Sequence, residues 1–166
     1  MMEGKTVPVP PFNIFQMAYV TDDIDAAART AGTAFGIGAF QINRGMEIET
    51  GQGVAIAHFA LAFLGDTQIE IIQPAGGVDD VYRQGVQARG GGLTFHHAGA
   101  LVTDEGQWHA LVTAIERSGE PVPVRGAFGD LMHYLYVDRR ATLGHYLEYM
   151  WRTPAGAAIF EGVPRF

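Results

Sequence analysis

The sequence predicts an α+β fold: two paired βαβββ modules forming a curved mixed sheet around a metal cavity. Three observations carry this prediction. First, a segment is written twice: in Phe15–Asp23 and Phe95–Asp104 a polar residue opens an apolar strand and an Asp follows seven positions later, Gln16 to Asp23 and His97 to Asp104. Second, each half later holds a Glu inside an apolar strand, Glu70 in TQIEIIQP and Glu148 in HYLEYMW; the copies are offset by 81 residues for the first pair and 78 for the second. Third, each half reads as strand, helix and three strands. A three-stranded meander cannot leave one face bare, so two such units curl and pair around a shared concavity.

The elements follow in order. Residues 1–11 hold three prolines and read as an irregular arm. The first module spans 12–89. Residues 12–20 form a strand, and Thr21-Asp22-Asp23 caps an Ala-rich helix over Ile24–Phe35 that Gly36 and Gly38 end. A short strand over Ala39–Asn43 leads into a polar loop. Val54–Leu64 and Thr67–Gln73 form a hairpin about Gly65-Asp66, Pro74 to Gly77 break the pattern, and a helix covers Val78–Arg89. Gly90-Gly91-Gly92 joins the halves.

The second module spans 93–151. Leu93–Thr103 is a strand, and Glu105–Ser118 is a helix with Trp108, Leu111, Val112 and Ile115 on one face. Pro121–Gly126, Leu131–Asp138 and Leu143–Trp151 are its three further strands. The tail over 152–166, with Phe160 and Phe166, packs on the body.

Composition excludes several classes of function. The 166 residues suffice for one domain with a sizeable core, and 48% apolar with 17% charged residues is ordinary for a globular chain. A net charge of −7 argues against nucleic acid or an anionic membrane as partner. The absence of cysteine excludes disulfides and thiolate chemistry. The N-terminus shows no apolar signal segment, and no apolar run approaches a membrane span, so the expectation is a soluble cytoplasmic protein.

Gln16, Glu70, His97 and Glu148, one donor per strand in a duplicated frame, can build a single metal site. A carboxylate inside an apolar strand needs a metal, an Arg or an exposed edge, because an unpaired buried charge is costly. The seven-residue spacing selects His97 as ligand and leaves His96 facing the helix side. By strand alternation Tyr146 and Met150 share the face of Glu148 and are cavity-wall candidates. His133 reaches the cavity only if the register turns Tyr134 and Tyr136 to the opposite face. His58 and His145 read as surface or packing residues, and His109 as a solvated helix residue.

These residues and the βαβββ repeat, over roughly residues 12–151, resemble the vicinal oxygen chelate superfamily. That family contains glyoxalase I, methylmalonyl-CoA epimerase, extradiol dioxygenases and bleomycin-resistance proteins. The resemblance implies that the metal ligands come from the first and fourth strands of each module, here Gln16, Glu70, His97 and Glu148. A Gln, Glu, His, Glu set is similar to one branch of glyoxalase I, and the epimerases exchange His and Gln. The implied activity is that of a metal-dependent isomerase, epimerase or lyase which removes a proton beside a metal-bound carbonyl of a small or CoA-type substrate. Glu148 is the implied base and Glu70 the second candidate. The donor types suit Zn, Ni, Co, Mn or Fe(II).

The resemblance has departures. The family's glutathione-holding Arg and Asn fall on Val20 and Pro74, which argues against glutathione. Glu47 or Glu49 stands near the additional catalytic Glu of the epimerases. The resemblance also implies a homodimer, in which swapped modules would bring Gln16 and Glu70 of one chain to His97 and Glu148 of another. Two other readings stay open: a metal-free protein sequestering an apolar or aromatic ligand, and a ring-cleaving dioxygenase. The latter needs two His and one carboxylate, and Gln16 stands where one His would be.

Overall fold

The computed structural model describes Pro10 and residues 12–87 and 90–166. The expected arm over 1–11, Pro10 apart, and the last two residues of the expected 78–89 helix lie outside the described residues. The strands are β1 (Asn13–Val20), β2 (Gln41–Glu49), β3 (Val54–Leu64), β4 (Thr67–Gly77), β5 (Thr94–Leu101), β6 (Val124–Phe128), β7 (Met132–Arg139) and β8 (His145–Arg152). The helices are α1 (Ile24–Phe35), α2 (Asp80–Arg83), α3 (Glu105–Ser118), α4 (Arg140–Leu143) and α5 (Pro154–Ala158). Among the described residues no helix is long and apolar enough to cross a membrane.

All eight strands join one mixed sheet in the order β2-β3-β4-β1-β5-β8-β7-β6. Each half repeats the same arrangement, with its first strand parallel to its fourth (β1 to β4, β5 to β8), and the halves meet where β1 runs antiparallel to β5. The sheet curls until its edges approach: Arg125 N donates to Thr50 O at 3.2 Å and the Tyr134 hydroxyl to Glu49 O at 2.9 Å.

Helices cover the convex side. α1 sets Ile24, Ala27 and Ala31 on Ala60 and Ile71, while α3 sets Trp108, Leu111 and Ile115 on Ala100, Leu135 and Leu147. Each fully buried Leu or Ile there contributes about 1.5–3 kcal/mol. Both helices start on an Asp cap: Ala26 N donates to Asp23 Oδ1 at 3.0 Å, and Gln107 N to Asp104 Oδ1 at 2.8 Å. The doubled Asp of the sequence therefore marks where each first strand gives way to its helix.

Several elements differ from the sequence reading. β2 continues through the expected loop to Glu49, because Gly45, at φ 64°, absorbs a bulge between Asn43 and Met46. β4 runs through Pro74 to Gly77, with a register shift opposite Ile56 and Ala57. The helix expected from Val78 shrinks to the four residues of α2, followed by a turn through Gly85. β6 starts at Val124, and a short helix, α4, precedes β8. The tail contains α5 and then pairs with β3: Phe63 N donates to Pro164 O at 2.8 Å and Phe166 N to Phe63 O at 3.0 Å.

Candidate metal centre

The concave face brings Gln16, Glu70, His97 and Glu148 together on four adjacent strands, β4-β1-β5-β8. Register explains the convergence. Glu70, Ala18 and His97 form one cross-strand row, and Gln16, Gly99 and Glu148 the next. The long side chains thus surround two small ones, Ala18 and Gly99, which stand 81 residues apart like Gln16 and His97. A Cβ at Gly99 would lie 2.5 Å from Gln16 Oε1, so glycine leaves the space the amide occupies.

Three oxygens face one ring nitrogen. His97 Nε2 lies 3.0 Å from Glu148 Oε2, 3.1 Å from Gln16 Oε1 and 3.5 Å from Glu70 Oε2. The donor atoms of Glu70, His97 and Glu148 lie within 4.8 Å of one another. Metal–ligand bonds of about 2.0–2.2 Å put neighbouring ligand atoms roughly 3.0 Å apart in an octahedron and 3.4 Å in a tetrahedron. The three separations from His97 Nε2 match, so the residues fit a divalent cation. Glu148 and Gln16 come from different modules of the same chain; exchange of modules between copies is not needed to assemble the group.

The partners around His97 fix its protons. His96 Nε2 lies 2.7 Å from the Val81 carbonyl oxygen, which only accepts, so that nitrogen carries hydrogen. Burial, followed by His97, pushes His96 down to about 3, and the neutral ring keeps a bare Nδ1. That Nδ1 lies 2.8 Å from His97 Nδ1, which therefore donates. Burial likewise pushes His97 down to about 3, so its Nε2 turns a lone pair on the three oxygens. The amide is fixed in the same way: Gln16 Nε2 donates to Gln68 Oε1 at 2.7 Å, which leaves Gln16 Oε1 aimed at the group. Outer partners of this kind orient metal ligands and set their tautomers.

The carboxyls carry the strain of burial. Burial pushes Glu148 up to about 8, and burial followed by the Glu148 charge holds Glu70 well above the usual carboxylate range. With no cation a proton on Glu148 meets the His97 Nε2 lone pair at 3.0 Å; a cation would replace such protons.

His96 is a correction to the sequence reading. It packs beside His97, 4% exposed, with Nε2 on the Val81 carbonyl of α2 and its ring against Tyr82, Tyr136 and Tyr146, and not against α1 or α3. A bulge is the cause: Ala18 pairs with His97 and Tyr19 with Phe95, so His96 is the extra residue and turns inward with its neighbour. β1 has the matching irregularity at Phe15, just before Gln16.

His133 is a second correction. It stacks on Trp151 at 5.5 Å and lies 6.2 Å from Trp108, on the α3 side; the register of β7 turns Met132, Tyr134 and Tyr136 inward instead. Met150 lines the cavity. Tyr146 packs behind the group, against His96 and under Arg140, and does not line it. Glu47 and Glu49 also stand outside, because Met46 and Ile48 are the inward residues of β2. Sequence reasoning missed Tyr82, which α2 inserts into the cup to bond Tyr136 at 3.1 Å between hydroxyls. It also missed Gln68, two residues before Glu70 and so on its face, a spacing that could have revealed it.

No sequence-family profile and no curated protein matches this chain. Solved structures do. Methylmalonyl-CoA epimerase from Mycobacterium tuberculosis superposes with a TM-score of 0.56 at 13% identity, over 87% of this chain and 91% of that one. The fold is that of methylmalonyl-CoA epimerase. Another such epimerase, in complex with methylmalonyl-CoA and NH4+, gives a TM-score of 0.53 at 12% identity over 88% and 98% of the two chains. A hypothetical protein from Bacillus halodurans gives 0.52 at 10% identity over 87% and 96%. At such identities the likeness is one of fold, and the chemistry rests on the residues described above.

Proposed function

We propose that the protein is a metal-dependent isomerase of the epimerase type, moving a proton at the carbon beside a carbonyl. The observation that carries this reading is the lone pair of His97 Nε2 and three oxygens aimed at one point in an apolar cup. His97 Nε2, Gln16 Oε1 and the Glu70 and Glu148 carboxylates would hold a divalent ion, with Zn, Ni, Co, Mn and Fe(II) all compatible. Such an ion supplies Lewis-acid polarisation of a carbonyl oxygen.

The chain supplies the proton transfers. Glu70 on β4 and Glu148 on β8 flank the central strands from opposite sides. Glu148 takes the proton from the carbon onto a carboxylate oxygen, and Glu70 returns one from the other side. A carboxylate held beside the reacting carbon is a competent general base, and its acid form a competent general acid, for these two steps. The apolar walls exclude water that would quench the carbanionic species.

The test has two parts. Metal analysis of the purified protein should show one divalent ion per chain, lost in His97→Ala and Glu148→Ala. In D2O the loaded protein should exchange the α-hydrogens of hydroxyacetone, and Glu148→Gln should abolish this. Metal content unchanged by both alanine variants overturns the reading. A metal-free sequestering protein is the second reading, favoured by the apolar cavity wall, and stoichiometric metal excludes it. A dioxygenase is disfavoured because the adjacent His96 directs Nε2 to Val81 and Nδ1 to His97. Association into a homodimer is a separate proposal that light scattering decides.

A further inference from the structure

The walls above the metal group carry information about substrate. The cavity holds about 140 Å³. A space of ~150 Å³ with apolar walls admits a six-membered ring. Met46, Ile48, Phe59, Leu61, Met132 and Met150 make up much of the wall. The neutral amides Gln41 and Asn43 and the tyrosines Tyr82, Tyr134 and Tyr136 supply the polar atoms besides the ligands themselves. Among the described residues, every lining side chain other than Glu70 and Glu148 is uncharged.

The C-terminal segment supplies part of the cavity wall. Ile159, Phe160 and Val163 line the cavity, and the segment is held by the Phe63–Pro164 and Phe63–Phe166 backbone bonds. The two arginines at this end are turned onto aromatic rings. Arg152 lies 5.6 Å from the Phe15 ring and 5.1 Å from the Phe160 ring, and Arg165 lies 4.0 Å from the Phe63 ring. They fasten the segment and do not line the cavity.

Charge balance then discriminates between substrates. The two carboxylates of the site cancel the charge of a divalent ion. A substrate carboxylate would add an uncompensated negative charge within apolar walls, which is costly. A neutral carbonyl compound adds none, and the Lewis acid stabilises the charge that develops only during reaction.

We infer that the site takes a small, uncharged, ring-sized carbonyl compound with an adjacent chelating oxygen, and rejects its carboxylate counterpart. This rests on the metal-dependent reading for the chelation, while the preference of the walls stands without it. The experiment compares 2-hydroxyacetophenone with mandelate, which share a phenyl ring and a hydroxyl and differ in charge. Isothermal titration is run on the metal-loaded and the metal-free full chain.

The neutral ketone should bind at least tenfold tighter than mandelate to the loaded protein and remain the preferred ligand on the metal-free one. Met46→Trp, on the edge strand, fills the cavity and should weaken ketone binding at least tenfold while metal content is unchanged. Mandelate binding equally or better overturns the inference, as does ketone affinity untouched by Met46→Trp, or no binding of either compound. A chain that takes up no metal yet still prefers the ketone refutes the metal-dependent reading and leaves the wall preference standing.

Discussion

Replacing His96 by Phe tests the proton arrangement of the metal group most directly. The ring volume is nearly kept, but two buried bonds vanish: Val81 O loses its donor at 2.7 Å and His97 Nδ1 its acceptor at 2.8 Å. Each orphaned buried group costs about 1–3 kcal/mol, so the fold should lose about 2–6 kcal/mol. For a chain of this size that lowers Tm by about 4–24 °C, at roughly 2–4 °C per kcal/mol. The larger consequence is for the metal. With no acceptor at Nδ1, His97 is free to move its hydrogen to Nε2, where it blocks the ligand lone pair. Loss of such an outer partner weakens metal binding roughly 10–100-fold. The assay is chelator competition with Zn, together with long-range 15N–1H correlation of the His97 ring. In the metal-free wild type the hydrogen should sit on His97 Nδ1. His96→Asn places Oδ1 where the imidazole Nδ1 stands and should restore most of the affinity that Phe loses. Wild-type His97 carrying its hydrogen on Nε2 would refute the reasoning outright, with no variant needed. Unchanged affinity in the folded Phe variant would refute it as well.

Three further outcomes are expected. Gly99→Ala sets a Cβ 2.5 Å from Gln16 Oε1 and 2.8 Å from Gln16 Cβ, so the amide must leave; metal affinity should fall at least tenfold in the same competition assay. Gln68→Leu removes the acceptor that orients Gln16 Nε2 and should weaken metal binding by a smaller factor while deleting one buried bond. Finally, the rise in Tm on adding Zn should be larger at pH 8 than at pH 6, read by calorimetry. Glu148 has its folded value raised from 4.5 to about 8, so the metal-free protein loses stability as pH rises through that window. The buried histidines act oppositely, with values lowered from 6.5 to about 3, and cost stability as pH falls through that window. A cation that binds the ionised carboxylates removes the first penalty, so its benefit grows with pH. A rise that is flat or smaller at pH 8 would contradict this.

Much of the architecture was legible in local chemistry. α1 and α3 begin on capping Asp residues and have the bounds their apolar periodicity suggests, and β3 ends at the Gly65-Asp66 turn. Elements that break local rules were not legible. Gly45 looks like a loop residue and is a bulge within β2; Pro74 looks like a strand end and lies inside β4. α2 has only four residues, so it offers no period to read, yet it carries Tyr82 into the cup.

The sequence by itself determined which strands hold Gln16, Glu70, His97 and Glu148. A twofold repeat shows in residue spacing, and a carboxylate within an apolar strand shows in composition. Only the tertiary structure decided what surrounds them. A bulge shifts side-chain direction without a sequence signature, so it turned His96 inward against the rule of alternation. Register between β7 and β8 chose Tyr134 and Tyr136 over His133, because pairing across strands is a long-range choice among sequences that alternate equally well. The lone pair that His97 offers was settled by a carbonyl fifteen residues upstream of His96, at Val81, through a contact that no local pattern contains.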